Sequence, residues 1–314
     1  MTLHIFNPEN DMALADGKPG YTPPAQIRQM RMELAGLPYW WAEEGDQVWD
    51  SASPLQLNEG DVIRPWGWSP ALKHQLRLAG VREEFLPSDE ALARLRQRSH
   101  RQTAVQALAD LSASGIEGLA GHSALCHSYD EVMQAASAWD KAIMKAPWSS
   151  SGRGLMMVGA PNARRWAERI IRQQGSIVVE EYLDRQADFA MEFWCEGGEV
   201  RYEGLSLFYT NDQGAYQGNW VAPEGQKMQW LAQLADPRTL GAIQAWWIQR
   251  LQGIDYEGPV GVDMLLTRDF RICPCVEVNW RMTMGLVSVW MGRLERYGRM
   301  IVEFTYGHYS AEIT

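Results

Sequence analysis

The hydrophobic and polar positions of the chain follow strand and helix periods in turn, which predicts a mixed α/β architecture. Short apolar runs bounded by turn residues predict strands at 3–6, 61–65, 141–145, 155–158 and 176–183. Apolar positions at helical spacing predict helices at 69–80, 89–113, 162–173 and 237–253. Runs around a Gly-Gly turn predict an antiparallel meander at 189–194, 199–202 and 205–209. Residues 288–314 are predicted to be a helix with a frayed tail.

One predicted strand in the C-terminal part has a strongly polar face. Successive side chains of a strand point to opposite sides, so Glu277, Asn279 and Arg281 share one face. An acidic strand at 261–266 precedes it, and the short loop between them predicts a hairpin that places Asp263 beside Glu277. Carboxylate and amide oxygens suit Mg²⁺, with Mn²⁺ as the alternative. The neighbouring arginine then fits a phosphate clamp.

A loop rich in serine and glycine follows the strand at 141–145. Its residues are Ser149, Ser150, Ser151, Gly152, Arg153 and Gly154. Small residues let backbone N–H groups approach phosphates closely, and the hydroxyls add donors. The loop lacks the Gly-Lys-Ser/Thr ending of a P-loop and the third glycine of a dinucleotide fingerprint. A plain flexible turn is the alternative interpretation, but Lys145 on the preceding strand favours a phosphate site.

The strand at 176–183 ends in polar residues that suit an adenine. A carboxylate such as Glu180 can accept a hydrogen bond from an exocyclic amine, and the backbone groups that follow can complete the contact. Asp188, directly before the next strand, can hold a ribose hydroxyl on the same terms. A solvated strand terminus is the alternative interpretation.

Composition limits the kinds of partner and compartment. The formal charge of −10 argues against nucleic acid or an anionic membrane as a partner. There is no apolar run of membrane-spanning length, no signal-peptide pattern and no disulfide framework among the four cysteines, so a cytoplasmic protein is expected. Most of the 15 tryptophans are expected to pack internally, and a basic cluster at 94–101 is expected on a solvated helix face.

In their order along the chain, these segments resemble the ATP-grasp superfamily over about residues 95–290. The closest likeness is to carbamoyl-phosphate synthetase-like and D-alanine–D-alanine ligase-like members. The resemblance implies an α/β (α+β) fold in which two α+β subdomains grip ATP. It also implies an N-terminal α/β domain at 1–95, a subdomain with the phosphate loop at 96–182, and a C-terminal subdomain with the metal site at 183–314.

The resemblance implies a role for each matching residue. The ATP phosphates would be bound by the loop 149–154, by Lys145, and by Arg101 with Arg98 as the alternative. The adenine would be bound by Glu180, Glu181, Tyr182 and Leu183, and the ribose by Asp188. The metal ligands would be Asp263, Glu277 and Asn279. The catalytic residues would be Lys145 and Arg281, the latter facing the transferred phosphate.

The resemblance therefore implies an ATP- and Mg²⁺-dependent ligase that joins a carboxylate to an amine (or a thiol) through an acyl phosphate. A small-molecule kinase of the same fold, and an ATP-binding regulatory or peptide-modifying protein with little turnover, are the alternatives. The expected partners are small-molecule carboxylate and amine substrates, and a homodimer is expected only as the commonest oligomer.

The polar turn after the first strand supplies candidates for substrate contact. Ligands of doubly wound sheets lie beyond the carboxyl ends of the strands, which favours Asn7, Asn10 and Asp11. A plain capped turn is the alternative interpretation.

Overall fold

The N-terminal unit (residues 1–50 and 55–88) is built on a parallel sheet. The computed structural model describes residues 1–50, 55–149, 154–211 and 216–314. The strands are β1 (Thr2–Ile5), β2 (Gln47–Val48) and β3 (Val62–Pro65), in the order β2-β1-β3. The helices are α1 (Asn10–Asp16), α2 (Ala25–Glu33) and α3 (Pro70–Leu78). The predicted start of α3 is confirmed, because the Ser69 hydroxyl accepts a hydrogen bond from the Leu72 amide at 3.3 Å.

The helix predicted over 89–113 is two helices, α4 (Asp89–Arg98) and α5 (Gln102–Ser112). The break coincides with one hydrogen bond to a distant segment and one within the break itself. The Arg101 amide donates to Pro147 O at 3.0 Å, and the Gln102 amide donates to the imidazole Nδ1 of His100 at 2.9 Å. The prediction of a solvated basic face was wrong at this break, where the Arg101 side chain is buried. A domain boundary at 95/96 would cut α4.

The small sheet contains four strands in the order β4-β7-β5-β6, all in antiparallel pairs. The strands are β4 (Ser123–Cys126), β5 (Ala142–Lys145), β6 (Leu155–Met157) and β7 (Ile177–Glu181). Helices α6 (Tyr129–Ala136) and α7 (Ala163–Gln174) cover it and share its apolar core. The two strands predicted on either side of residues 146–154 are confirmed, since Lys145 on β5 pairs with Leu155 on β6.

The large sheet contains seven strands in the order β12-β11-β8-β9-β10-β13-β14. The strands are β8 (Arg185–Glu196), β9 (Glu199–Thr210), β10 (Tyr216–Val221), β11 (Gly258–Thr267), β12 (Ile272–Asn279), β13 (Gly298–Thr305) and β14 (His308–Ile313). The helices that follow β10 and β12 are α8 (Glu224–Leu231), α9 (Pro237–Leu251) and α10 (Met284–Arg293). One face of the sheet packs on α5 and α9, and the other packs on α10 and the N-terminal unit.

The polar hairpin predicted from the sequence is present in the large sheet. Asp263 on β11 lies directly opposite Glu277 on β12, and a β-bulge follows between Asp263 and Leu265. Directly opposed side chains of an antiparallel pair lie close together on one face. The two carboxylates are therefore neighbours, as the alternation of the two strands predicted.

The helix predicted over 288–314 was wrong beyond Arg293, where α10 ends. Residues 298–313 instead form the β13–β14 hairpin, which extends the large sheet beside β10. Tyr306 and Gly307, at the turn, both have positive φ (51° and 85°), as in the tight turns that suit the twist of a hairpin. Within the described part of the chain, no helix is long and apolar enough to cross a bilayer.

The C-terminal hairpin contributes to the stability of the fold through Met300. This side chain is fully buried in the core between the N-terminal unit and α10, whereas Phe304 on the same strand is 47% exposed. We expect Met300→Ala to lower the free energy of unfolding by about 2–4 kcal/mol and Phe304→Ala by about 1 kcal/mol or less. Urea unfolding measures both; equal small effects would mean that the hairpin does not belong to the cooperative core.

Candidate active site

A cavity of about 720 Å³ lies where the N-terminal unit, the small sheet and the large sheet meet. Its floor is the face of the large sheet that carries Asp263 and Glu277, and the small sheet contributes Lys145 and Glu180. Apolar side chains of the N-terminal unit, among them Phe6, close the opposite side. Concave sites with a few convergent polar groups at subdomain boundaries are the usual places for small-molecule ligands.

The predicted metal ligands form one cluster on β11 and β12. Burial, and then the charge of Glu277, raise the pKa of Asp263 to about 7, because two carboxylates are held together away from water. The amide nitrogen of Asn279 donates to Asp263 Oδ2 at 3.1 Å, so its oxygen points to Arg281 instead. In the described parts of the chain, no three His, Cys, Asp or Glu side chains are grouped closely enough to hold a metal.

Arg101 connects the base of the serine-glycine loop to the acidic cluster. Its Nε donates to Ala146 O at 3.1 Å and its Nη2 donates to Ser149 Oγ at 3.3 Å. The same Nη2 lies 2.9 Å from Glu277 Oε1, and the side chain is only 7% exposed. Arg98, the alternative, lies over the Trp280 ring and donates to the carbonyl of Asp255. Only Arg101 of the two lines the cavity.

The other predicted phosphate and adenine groups line the same cavity. Lys145 Nζ lies 2.6 Å from Glu180 Oε2, so the two are paired with each other. Glu181 contacts His122 at 3.0 Å, and Tyr182 and Leu183 follow on the cavity wall. Ser149 and Gly154 flank the loop, whereas Ser150, Ser151, Gly152 and Arg153 lie outside the described residues.

Asp188 lies on β8 of the large sheet and lines the cavity. Its Oδ2 accepts hydrogen bonds from Thr210 Oγ1 at 2.6 Å and from Arg185 Nη1 at 3.0 Å. Burial raises the pKa of this carboxyl group. Asp188 is thus positioned by two donors on one oxygen, and its role at a ribose stays a prediction.

The polar residues in the turn after β1 have two different roles. The Asn7 amide donates to Gly67 O at 2.8 Å, and the Asn10 amide lies 2.9 Å from the same carbonyl oxygen, so both hold the chain after β3. Neither is among the residues that line the cavity, and the substrate contact of these two residues stays a prediction. Asp11 does line it, but accepts hydrogen bonds from Arg281 Nε at 2.9 and 3.0 Å.

Arg281 is oriented by three groups at once. Besides the contacts with Asp11, its Nη2 donates to Asn279 Oδ1 at 2.9 Å and its Nη1 to Met282 O at 2.9 Å. Its Nη2 also lies 2.8 Å from Asp11 Oδ2. A guanidinium has five N–H donors in a fixed plane, so these contacts hold its plane and leave one N–H of Nη1 for a ligand. The N-terminal unit therefore orients the arginine of the polar strand.

Glu192 on β8 is a cavity residue that the sequence did not reveal. It is 1% exposed, and burial, followed by the charge of Asp263, raises its pKa to about 8. Its Oε1 accepts a hydrogen bond from Thr283 Oγ1 at 2.9 Å. The signal was a single acid within the apolar run 189–194, on the strand face shared with Asp188.

The Asp11–Arg281 pair is expected to support stability as well as geometry. We expect Asp11→Asn to lower the free energy of unfolding by about 1–3 kcal/mol, because it leaves a mostly buried guanidinium without its carboxylate. The matched control is Glu84→Gln, which removes a pair with Arg82 in which both side chains are more than half exposed. We expect a change of less than about 1 kcal/mol there. Equal effects in urea unfolding would contradict a structural role for Asp11.

Comparisons with known proteins place this geometry in context. The chain matches no protein-family model. It is 23% identical over 160 residues to the butirosin acyl-carrier-protein–L-glutamate ligase of Niallia circulans. That match covers 50% of this chain but 36% of the relative, so the chain corresponds to little more than a third of that protein.

Solved structures resemble nearly the whole chain. Biotin carboxylase of Campylobacter jejuni, solved as a β-γ-ATP complex, superposes with a TM-score of 0.56 at 15% identity and covers 92% of this chain and 67% of its own. The biotin carboxylase domain of the Hydrogenobacter thermophilus 2-oxoglutarate carboxylase, solved with MgADP and bicarbonate, gives 0.54 at 11% identity, over 93% and 68%. These likenesses confirm the resemblance inferred from the sequence: the chain has the ATP-grasp fold.

Proposed function

We propose that the protein is an ATP-dependent ligase that joins a carboxylate to an amine (or a thiol) through an acyl phosphate. The observation that carries the proposal is that Lys145, Arg101 and Arg281 line one cavity together with the opposed carboxylates Asp263 and Glu277. Phosphoryl transfer needs mainly positioning and charge neutralisation, which this set can supply. The ligase similar to half of the chain supports the reaction class.

A divalent cation fits the donors that this cavity offers. Asp263 and Glu277 hold two carboxylates side by side, which are oxygen ligands of the kind that Mg²⁺ prefers. Asn279 can join them once its amide rotates away from Arg281. When bound, Mg²⁺ would neutralise the β- and γ-phosphate oxygens of ATP.

The proposed reaction uses the chain's cations in two steps. Arg101 releases Glu277 and Lys145 releases Glu180, and both cations then bind the phosphates of ATP. Residues Glu180–Leu183 and Asp188 hold the nucleoside. A substrate carboxylate oxygen bonds to the γ-phosphorus while the bond to the bridging oxygen of ADP breaks. Arg281 faces the transferred group. The nitrogen of the neutral amine then attacks the acyl carbon, the bond from that carbon to the phosphate oxygen breaks, and inorganic phosphate leaves with the proton that the nitrogen loses.

Product analysis tests this reaction. We expect ADP and inorganic phosphate in equal amounts when the protein is given ATP, Mg²⁺, and both a carboxylic acid and an amine from a screen of amino acids, dipeptides and small acids. A kinase would release ADP without phosphate. A regulatory protein with little turnover would release neither without a protein partner. Either result would contradict the ligase assignment.

The Glu277→Gln variant tests the proposed metal site and the proposed nucleotide site independently. We expect ADP release to fall about a hundredfold or more, because one metal ligand is lost. We also expect metal-free ADP to bind about tenfold more tightly, since Arg101 loses the carboxylate that competes with the phosphates. Calorimetry in EDTA measures the second effect.

The matched control is Glu196→Gln, on the same sheet and 61% exposed. We expect wild-type ADP release and wild-type metal-free affinity for this variant. Unchanged ADP release in Glu277→Gln would remove the metal-site assignment, and unchanged metal-free affinity would mean that the Arg101–Glu277 pair does not compete with the nucleotide.

A further inference from the structure

The charges that line the cavity do not balance. Among the described residues, the lining contains seven carboxylates and four Lys or Arg side chains, a formal charge of −3. Each of the four cations is paired with one carboxylate, and these pairs are Arg101–Glu277, Lys145–Glu180, Arg185–Asp188 and Arg281–Asp11. Glu181 has His122, and Asp263 belongs to the proposed metal site. Glu192 remains without a cation.

Glu192 also has an unmatched oxygen. Its Oε1 accepts from Thr283, but its Oε2 is buried and has no hydrogen-bond partner among the described residues. Lys227, behind the sheet, is engaged by the carbonyl of Leu205 and by Glu224, 3.3 Å away. A buried carboxyl oxygen without a hydrogen-bond partner is costly. A positively charged donor placed against it would satisfy this oxygen and favour the ionised form that burial disfavours.

Two glycines leave space for the Glu192 carboxyl group. A methyl group at Gly285 would lie 2.1 Å from Glu192 Oε1, and one at Gly261 would lie 2.8 Å from Oε2. Next to it, Asn219 donates to Ser206 Oγ at 2.7 Å and accepts from the Tyr216 hydroxyl. The acid, the hydroxyls and the amide thus form a polar inner end of the cavity, defined here by Glu192, Ser206, Asn219 and Thr283.

An apolar wall lies on the other side of the same cavity. Its members come from the N-terminal unit, from α10 and from β13, and include Phe6, Met30, Leu34, Met284 and Val302. Among the described residues of this wall and the polar inner end there is no unpaired Lys or Arg that could bind a phosphate. A ligand for this region therefore has a positive polar end and an apolar body.

We propose that Glu192 binds the ammonium group of the amine substrate, with the apolar part of that substrate against the Phe6–Val302 wall. This rests on the proposed ligase function and names the chemistry of its second substrate. An ammonium offers three donors, which suit a carboxylate with hydroxyl groups beside it. Low exposure strengthens such a charge-assisted hydrogen bond.

Paired ligands of equal shape test the proposal. Binding of benzylamine and isoamylamine is compared by calorimetry with that of benzyl alcohol and isoamyl alcohol, in the presence of Mg²⁺ and a non-hydrolysable ATP analogue. For at least one pair, we expect wild-type protein to bind the amine about tenfold or more tightly than the alcohol. In Glu192→Gln we expect this preference to disappear while alcohol binding stays within about threefold.

Two further variants make the test specific. Glu196→Gln, at the end of the same strand, is expected to retain the amine preference. Gly285→Ala, whose methyl would displace the Glu192 carboxylate, is expected to reduce it, and serves if Glu192→Gln does not fold. The proposal is overturned if wild-type protein shows no preference for the amine. It is also overturned if Glu192→Gln and Gly285→Ala both prefer the amine as strongly as wild-type protein does.

Nucleotide binding distinguishes this failure from failure of the proposed function. Affinity for the ATP analogue is expected to stay within about threefold of wild type in Glu192→Gln, because the phosphate cations are paired with other carboxylates and Glu192 bonds to Thr283. Loss of analogue binding in wild-type protein would contradict the ATP site itself. Intact analogue binding without amine preference would contradict only the role of Glu192.

Discussion

The Arg101 guanidinium is the interaction on which the geometry of the cavity depends. It binds the backbone at the base of the serine-glycine loop on one side and Glu277 of the large sheet on the other. A planar group with several fixed donors can connect two segments without freedom of rotation between them. Because Arg101 is buried, this connection is weakly screened by solvent. The small sheet and the acidic strands are therefore held in one arrangement before any ligand enters.

The other cations of the cavity are also paired with acidic side chains, as Arg101 is with Glu277. Each lies next to a carboxylate, so the ligand-free protein neutralises its positive groups with its own acids. A nucleotide that enters must replace these acids at the cations, and the released acids then need a positive partner. Nucleotide and divalent metal are consequently expected to favour each other's binding, since each satisfies the groups that the other releases.

Local patterns allowed much of the site to be predicted from the sequence. Alternation along β11 and β12 identified the opposed pair Asp263 and Glu277, and β5 with its loop identified Lys145. The break before α5 was missed because it coincides with a hydrogen bond to Pro147, which is distant in sequence. The pairing of Asp11 with Arg281 was missed for the same reason, because the two residues are distant in sequence. The final hairpin was missed because its inner face is only partly buried, with Met300 as its one fully buried side chain, so its strand period is weakly marked. Glu192 was hidden within an apolar run.

The contact between Asp11 and Arg281 joins residues 270 positions apart. Closing so long a segment costs chain entropy, which the packing of the N-terminal unit on the large sheet must offset. The arginine proposed to face the transferred phosphate is therefore oriented only in a chain whose two ends have come together. A nascent chain, or one whose N-terminal unit has detached, lacks the carboxylate that orients this arginine.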